Sequence, residues 1–194
     1  MSARSCALPL LLALLLLLTA CSPVSETDDF AYAALPFTAS VRGTYTLTDG
    51  ISRPITARIS VGALLPNGER TMTVSFTQPP SLAGITVTAS PTRGSSGEIR
   101  RTVTFSAPSD HGNLEFTADG QEFDGFLRFA EALLPAGDVV AISPTDGDGL
   151  RSVTRRTADG KQTAVFLLQK GRALPLRVTL TTAEERLELS VDDS

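Results

Sequence analysis

Phe37-Thr38-Ala39-Ser40-Val41-Arg42-Gly43-Thr44-Tyr45-Thr46-Leu47-Thr48 is the stretch that decides the fold. Its odd positions are apolar or small, and its even positions are all hydroxyl or arginine side chains. A period of two with one polar face describes an antiparallel strand with one buried face. The pattern recurs along the chain. Ile55, Ala57, Ile59 and Val61 alternate with Thr56, Arg58 and Ser60. Further inward rows are Met72, Val74, Phe76; Ile85, Val87, Ala89; Val103, Phe105, Ala107; and Leu114, Phe116, Ala118. Near the C-terminus the rows are Leu174, Leu176, Val178, Leu180 and Leu187, Leu189, Val191.

Turn residues punctuate these runs. Asp49-Gly50, Asn67-Gly68, Asp119-Gly120 and Asp159-Gly160 each offer a glycine that tolerates positive φ. Pro79-Pro80 and the polar loop 93–97 break two more. In the hairpin 151–168, Arg155 and Arg156 are neighbours, so one guanidinium must face inward or sit at an edge. The pattern predicts eleven strands, with 138–143 the weakest.

One segment departs from the alternation. Phe123, Phe126, Leu127, Ala130, Leu133 and Leu134 recur at helical spacing over residues 122–134. Phe129 widens their arc to about 160°. Asp124, Arg128 and Glu131 form the wet side, and Pro135 stops the helix. The expected fold is mainly β, a curled antiparallel sheet or unclosed barrel with one amphipathic helix on its concave face.

Dimensions then raise a question of cover. Eleven strands span roughly 50 Å, whereas a three-turn helix is about 18 Å long and 10 Å across. Exposed apolar faces of that size are rare in monomers. The sheet therefore curls over the helix, closes, folds into a sandwich or holds something apolar. Some of Phe123, Phe126, Leu127 and Phe129 are candidates to line a ligand groove, the others packing against the sheet. The small inner residues Ala39, Gly43, Ala57 and Ala89 either leave room in that groove or permit strong curvature and close packing.

In order and pattern the chain resembles the LolA/LppX-like lipoprotein superfamily. The likeness rests on Phe37-Thr38-Ala39-Ser40-Val41, on residues 75–87 with their proline break before Leu82-Ala83-Gly84-Ile85-Thr86-Val87, on the mid-chain helix, and on Leu174-Pro175-Leu176-Arg177-Val178. It implies an unclosed eleven-stranded barrel over helices, with an apolar cavity for acyl chains of lipoproteins or lipids. The chain departs from the family in having no tryptophan and no evident helix before the first strand.

The first residues carry an address. Arg4 precedes an apolar run over residues 7–20, too short to span a bilayer comfortably. The run ends in Leu18-Thr19-Ala20-Cys21, which resembles a bacterial lipobox. Residues 1–20 are thus expected to be a lipoprotein signal peptide. Cys21 is the expected lipidation site, carrying diacylglycerol and fatty acyl chains such as palmitate. Residues 21–29 form a polar tether and residues 30–194 a single domain. A tether of eight flexible residues has a root-mean-square span of roughly 16 Å, which keeps the domain close to the bilayer. Because Ser22 follows the anchor, the expected location is extracytoplasmic, on the outer membrane in a host with two membranes. The only other cysteine, Cys6, leaves with the signal.

Removing Arg4 with the signal shifts the formal charge from −4 to −5. A net acidic chain is repelled by nucleic acid, so membrane association is expected to rest on the acyl chains.

No cofactor, metal or catalytic role is expected. Asp110 and His111, the single histidine, are adjacent in sequence and would point to opposite faces of a strand. Gly94-Ser95-Ser96-Gly97 is not a nucleophile elbow. Asp146-Gly147-Asp148-Gly149 begins like a calcium loop, but Leu150 and Thr157 stand where ligands are required, so it reads as a tight turn. The leading expectation is a membrane-anchored envelope lipoprotein that binds or carries an apolar ligand such as a lipid acyl chain. The alternative is a structural lipoprotein with a filled core that docks an envelope protein.

Overall fold

The computed structural model describes residues 29–93, 97–110, 112–119, 124–144 and 146–193. Cys21, Ser95, Ser96, His111 and Phe123 lie outside the described residues. The eleven strands are β1 (Phe37–Leu47), β2 (Ser52–Val61), β3 (Met72–Gln78), β4 (Thr86–Arg93), β5 (Ile99–Ser109), β6 (Gly112–Asp119), β7 (Asp138–Ile142), β8 (Leu150–Arg156), β9 (Thr163–Gln169), β10 (Arg177–Thr181) and β11 (Glu185–Asp193). They form one sheet in the order β6-β5-β4-β3-β2-β1-β11-β10-β9-β8-β7. Every neighbouring pair is antiparallel, and β6 and β7 are the two free edges, so the sheet is unclosed.

Register follows the alternation. Val41 on β1 faces Ala57 on β2 and Val191 on β11, so all three apolar rows share one side. The buried residues of these rows form one continuous core on that side. Gly43 explains part of the curl: a Cβ there would sit 1.7 Å from the Glu188 carbonyl oxygen. Only a glycine lets β1 approach β11 this closely. Ala39, Ala57 and Ala89 are buried. The small residues thus serve close packing in this half of the sheet.

The helix α1 (Asp124–Glu131) is shorter than the sequence pattern indicates. After Glu131 the backbone tightens. Ala132 N–H still bonds to Arg128, but Leu133 and Leu134 N–H bond to Ala130 and Glu131, three residues back. These turns carry Ala132 and Leu133 into the core before Pro135. At the other end of the sheet's middle, Pro175 delays β10 to Arg177, because proline has no N–H for the ladder. Leu176 keeps the pairing, donating to Leu167 and accepting from Val191.

Candidate functional site

Among the described residues, two pieces of chain cover the concave face. The first is α1, which lies mainly over β2, β3 and β4. Leu127, Phe129 and Ala130 are buried beneath it, and Phe126 is half-buried. Phe76 receives both Phe126 and Phe129 edge-on, with ring centroids 5.8 and 5.4 Å away. Phe129 also meets Tyr45 at 6.0 Å, and Phe126 meets Phe105 at 5.9 Å. Ion pairs pin the wet side of the helix: Arg128 to Glu185 at the start of β11, and Glu131 to Arg101 on β5. Tyr45 donates its hydroxyl to the other oxygen of Glu185, at 2.5 Å.

The second piece is the segment before β1, a 3-10 turn over Ala31–Ala34 that no periodicity in the sequence announces. Its aromatic residues anchor it. The Phe30 ring meets Phe166 on β9 at 5.1 Å, and Tyr32 meets Phe37 at 5.5 Å. The Tyr32 hydroxyl donates to the Leu133 carbonyl at 2.6 Å, joining the two pieces of cover. Burial pushes the Tyr32 phenol well above its ordinary pKa, against a small opposing pull from the charge of Arg155. Arg155 is the inward guanidinium of the Arg155-Arg156 pair. It lies 5.3 Å over the Phe30 ring and donates to the Ala136 and Gly137 carbonyls. Asp29 pairs with Arg151, and Arg70 donates to the Ala33 carbonyl at 2.7 Å.

Among the described residues, neither piece covers the concave face at β6. Leu114 and Phe116 belong to the inward row, paired with Ala107 and Phe105 of β5. They are nonetheless 49% and 52% exposed. Phe126, half-buried, contacts Phe105 beside this strip. Of the candidate lining residues, Leu127 and Phe129 thus lie within the packed centre, and Phe126 stands at its border. Phe123 is outside the described residues.

A separate cavity of about 520 Å³ opens beside the 3-10 turn. Tyr32, Leu35, Leu168 and Leu174 supply apolar walls, and Arg151, Lys170 and Arg172 supply cations. No sequence pattern announces it, since its walls come from three distant segments.

The Asp146 loop is a turn held by its own carboxylate. One oxygen of Asp146 accepts the N–H groups of Asp148 and Leu150, at 3.1 and 2.8 Å.

No family model matches the chain, and no curated protein matches it. Among solved structures it is similar to a LolA superfamily protein from Nitrosomonas europaea, at 12% identity and a TM-score of 0.44, over 88% of this chain and 92% of the other. It is also similar to a domain from Vibrio parahaemolyticus named for outer membrane lipoprotein sorting, at 10% identity and a TM-score of 0.40, over 86% and 88%. A DUF1329 family protein from Desulfovibrio piger matches at 10% identity and a TM-score of 0.42, over 86% and 90%.

Proposed function

We propose that the protein is an envelope lipoprotein, anchored by diacylglycerol on Cys21, that holds an apolar ligand such as a lipid acyl chain along the open strip of its concave face. The observation that carries this reading is the exposure of Leu114 and Phe116 on the inward face, next to strands β3 and β4 whose inward residues are buried. An apolar chain laid along β5 and β6 beside Phe126 would remove that surface from water. Each methylene so buried contributes about 0.8 kcal/mol. The reading involves no catalytic step, cofactor or nucleic acid. It places the protein outside the cytoplasm, on the outer membrane if the host has two membranes.

The free edges favour a second reading. Val140 and Ile142 on β7 are exposed, as are Leu114 and Phe116 on β6. A free edge with apolar side chains also suits strand addition by an envelope protein.

Mass spectrometry of the protein purified from its own host tests the proposal. The expected result is an acylated N-terminal peptide beginning at Cys21 and a non-covalently bound lipid on the intact protein. Cys21→Ala should abolish detergent partitioning. An N-terminal peptide without acyl mass would overturn the anchor, and a protein that never carries lipid would leave the docking reading.

A further inference from the structure

We propose that the β6 edge is where two copies of this chain meet, their β6 strands pairing antiparallel about Phe116 into one continuous sheet. The two free edges are built differently. β7 has 5 residues, carries a bulge between Val139 and Ala141, and lies between Pro135 and Pro144. Short length, a bulge and flanking prolines blunt an edge against pairing. β6 has none of these devices. Its 8 residues pair with β5 without a register shift, and Gly112–Asp119 holds no proline, lysine or arginine. Gly112 to Thr117 are all exposed. Alternate residues of such a strand turn their N–H and C=O groups away from β5, and among the described residues no further strand receives them.

Symmetry and charge select the partner and the register. Two identical edges that keep their concave faces on one side are related by a two-fold axis normal to the sheet, which makes the strands antiparallel. Directly opposed residues share a face, so the axis must fall on a residue rather than between two. Centring on Leu114 or Thr117 confines the ladder to residues 112–116 or 115–119, whereas Glu115 or Phe116 extends it over 112–118 or 113–119. A centre at Glu115 sets that carboxylate against its own copy, which is unfavourable. A centre at Phe116 removes the conflict. Glu115 then faces Thr117 of the other copy, Leu114 faces Ala118, and the two Phe116 rings meet at the axis. Within the chain, Glu115 and Thr117 stand opposite the neutral Ser106 and Thr104 of β5. The edge is thus complementary to itself in charge and in the alternation of large and small apolar residues.

Pairing joins the two open strips. Leu114 and Phe116 of both copies form one apolar trough, bordered on each side by Phe105 and Phe126. The second copy's Phe116 thereby becomes part of the surface offered to an acyl chain. This shared trough rests on the ligand reading of the strip; the strand pairing does not. A contact along one strand edge is smaller than the standard interface of about 1,600 Å². The pair therefore forms as concentration rises, and dilute solutions hold single copies.

Sedimentation of the full protein in a density-matched non-ionic detergent, over rising protein concentration, tests the pairing. The expected result is a monomer that passes into a dimer. Thr117→Glu sets a carboxylate against each Glu115 and should weaken association about tenfold at an unchanged melting temperature. Adding Glu115→Lys to that variant turns both contacts into opposite-charge pairs and should restore association, which a damaged fold would not allow. A nitroxide on Asn113→Cys reads the register, with its position checked by peptide mass whatever the state of Cys21. Pairing about Phe116 puts the two labelled backbone positions roughly 20 Å apart, and pairing about Glu115 roughly 14 Å. A monomer at every concentration would leave β6 to a strand of another protein and overturn the inference. A dimer indifferent to Thr117→Glu, a failed rescue or the shorter distance would also overturn it. A protein that dimerises in this register and never binds an acyl chain would uphold the pairing and contradict the ligand reading alone.

Discussion

Strands β3 and β6 carry nearly the same message and meet different fates. Met72, Val74 and Phe76 on β3 are 8%, 0% and 1% exposed, whereas Leu114 and Phe116 on β6 are about half exposed. Both rows alternate with polar residues, and both face the concave side. The difference lies in cover: α1 sits over β2 to β4. Alternation thus records which face of a strand is apolar. It does not record what will lie against that face, because cover is set by a distant segment.

The sharpest way to break this comparison is one substitution made on both strands. Phe76→Ala should cost about 3 to 5 kcal/mol, since its ring is enclosed by Phe126 and Phe129 and leaves a cavity. Denaturant unfolding measures it, and a loss below about 1 kcal/mol would mean that α1 is not firmly seated.

Tyr32→Phe should have the next largest effect, about 1 to 3 kcal/mol, because the Leu133 carbonyl loses its buried donor. The phenol also predicts a pH dependence. Its pKa is raised on folding, chiefly by burial, so its contribution to stability is complete below the ordinary value of 10.0. As pH rises past that value, the unfolded chain releases the proton while the folded chain retains it, and stability falls. Unfolding curves from pH 8 to 11 should show a steeper decline in the wild type than in Tyr32→Phe. Parallel declines would show that the hydroxyl is not buried between the two pieces of cover.

Phe116→Ala should have the smallest effect on the empty protein, within about 0.5 kcal/mol, as expected for a side chain with few protein neighbours. The same variant should weaken acyl-chain binding, which separates a binding surface from a core position. A destabilisation comparable to that of Phe76→Ala would mean that β6 is packed.

The architecture was largely legible. Period-two rows located the strands, including the weak one that became β7, and helical spacing located α1. Three features were not legible, for physical reasons. The 3-10 turn over Ala31–Ala34 is too short to show a period, and it is held by tertiary contacts of Phe30 and Tyr32. The inward choice of Arg155 over Arg156 depends on the Phe30 ring and two carbonyls contributed by other segments. The border between covered and open apolar surface depends on where α1 lands. The helix pattern marked Phe126, Leu127 and Phe129 as one apolar arc, and only the packing separates Phe126, beside the open strip, from the other two.

The most direct test of the account is photolabelling of the full protein with a photoreactive fatty acid methyl ester, whose neutral head leaves only apolar contacts to direct it. The account predicts label on the peptides that carry Phe105, Leu114, Phe116 and Phe126, and about tenfold less in Phe116→Glu at an unchanged melting temperature. Absence of label from those peptides, or equal label in the variant, would contradict it.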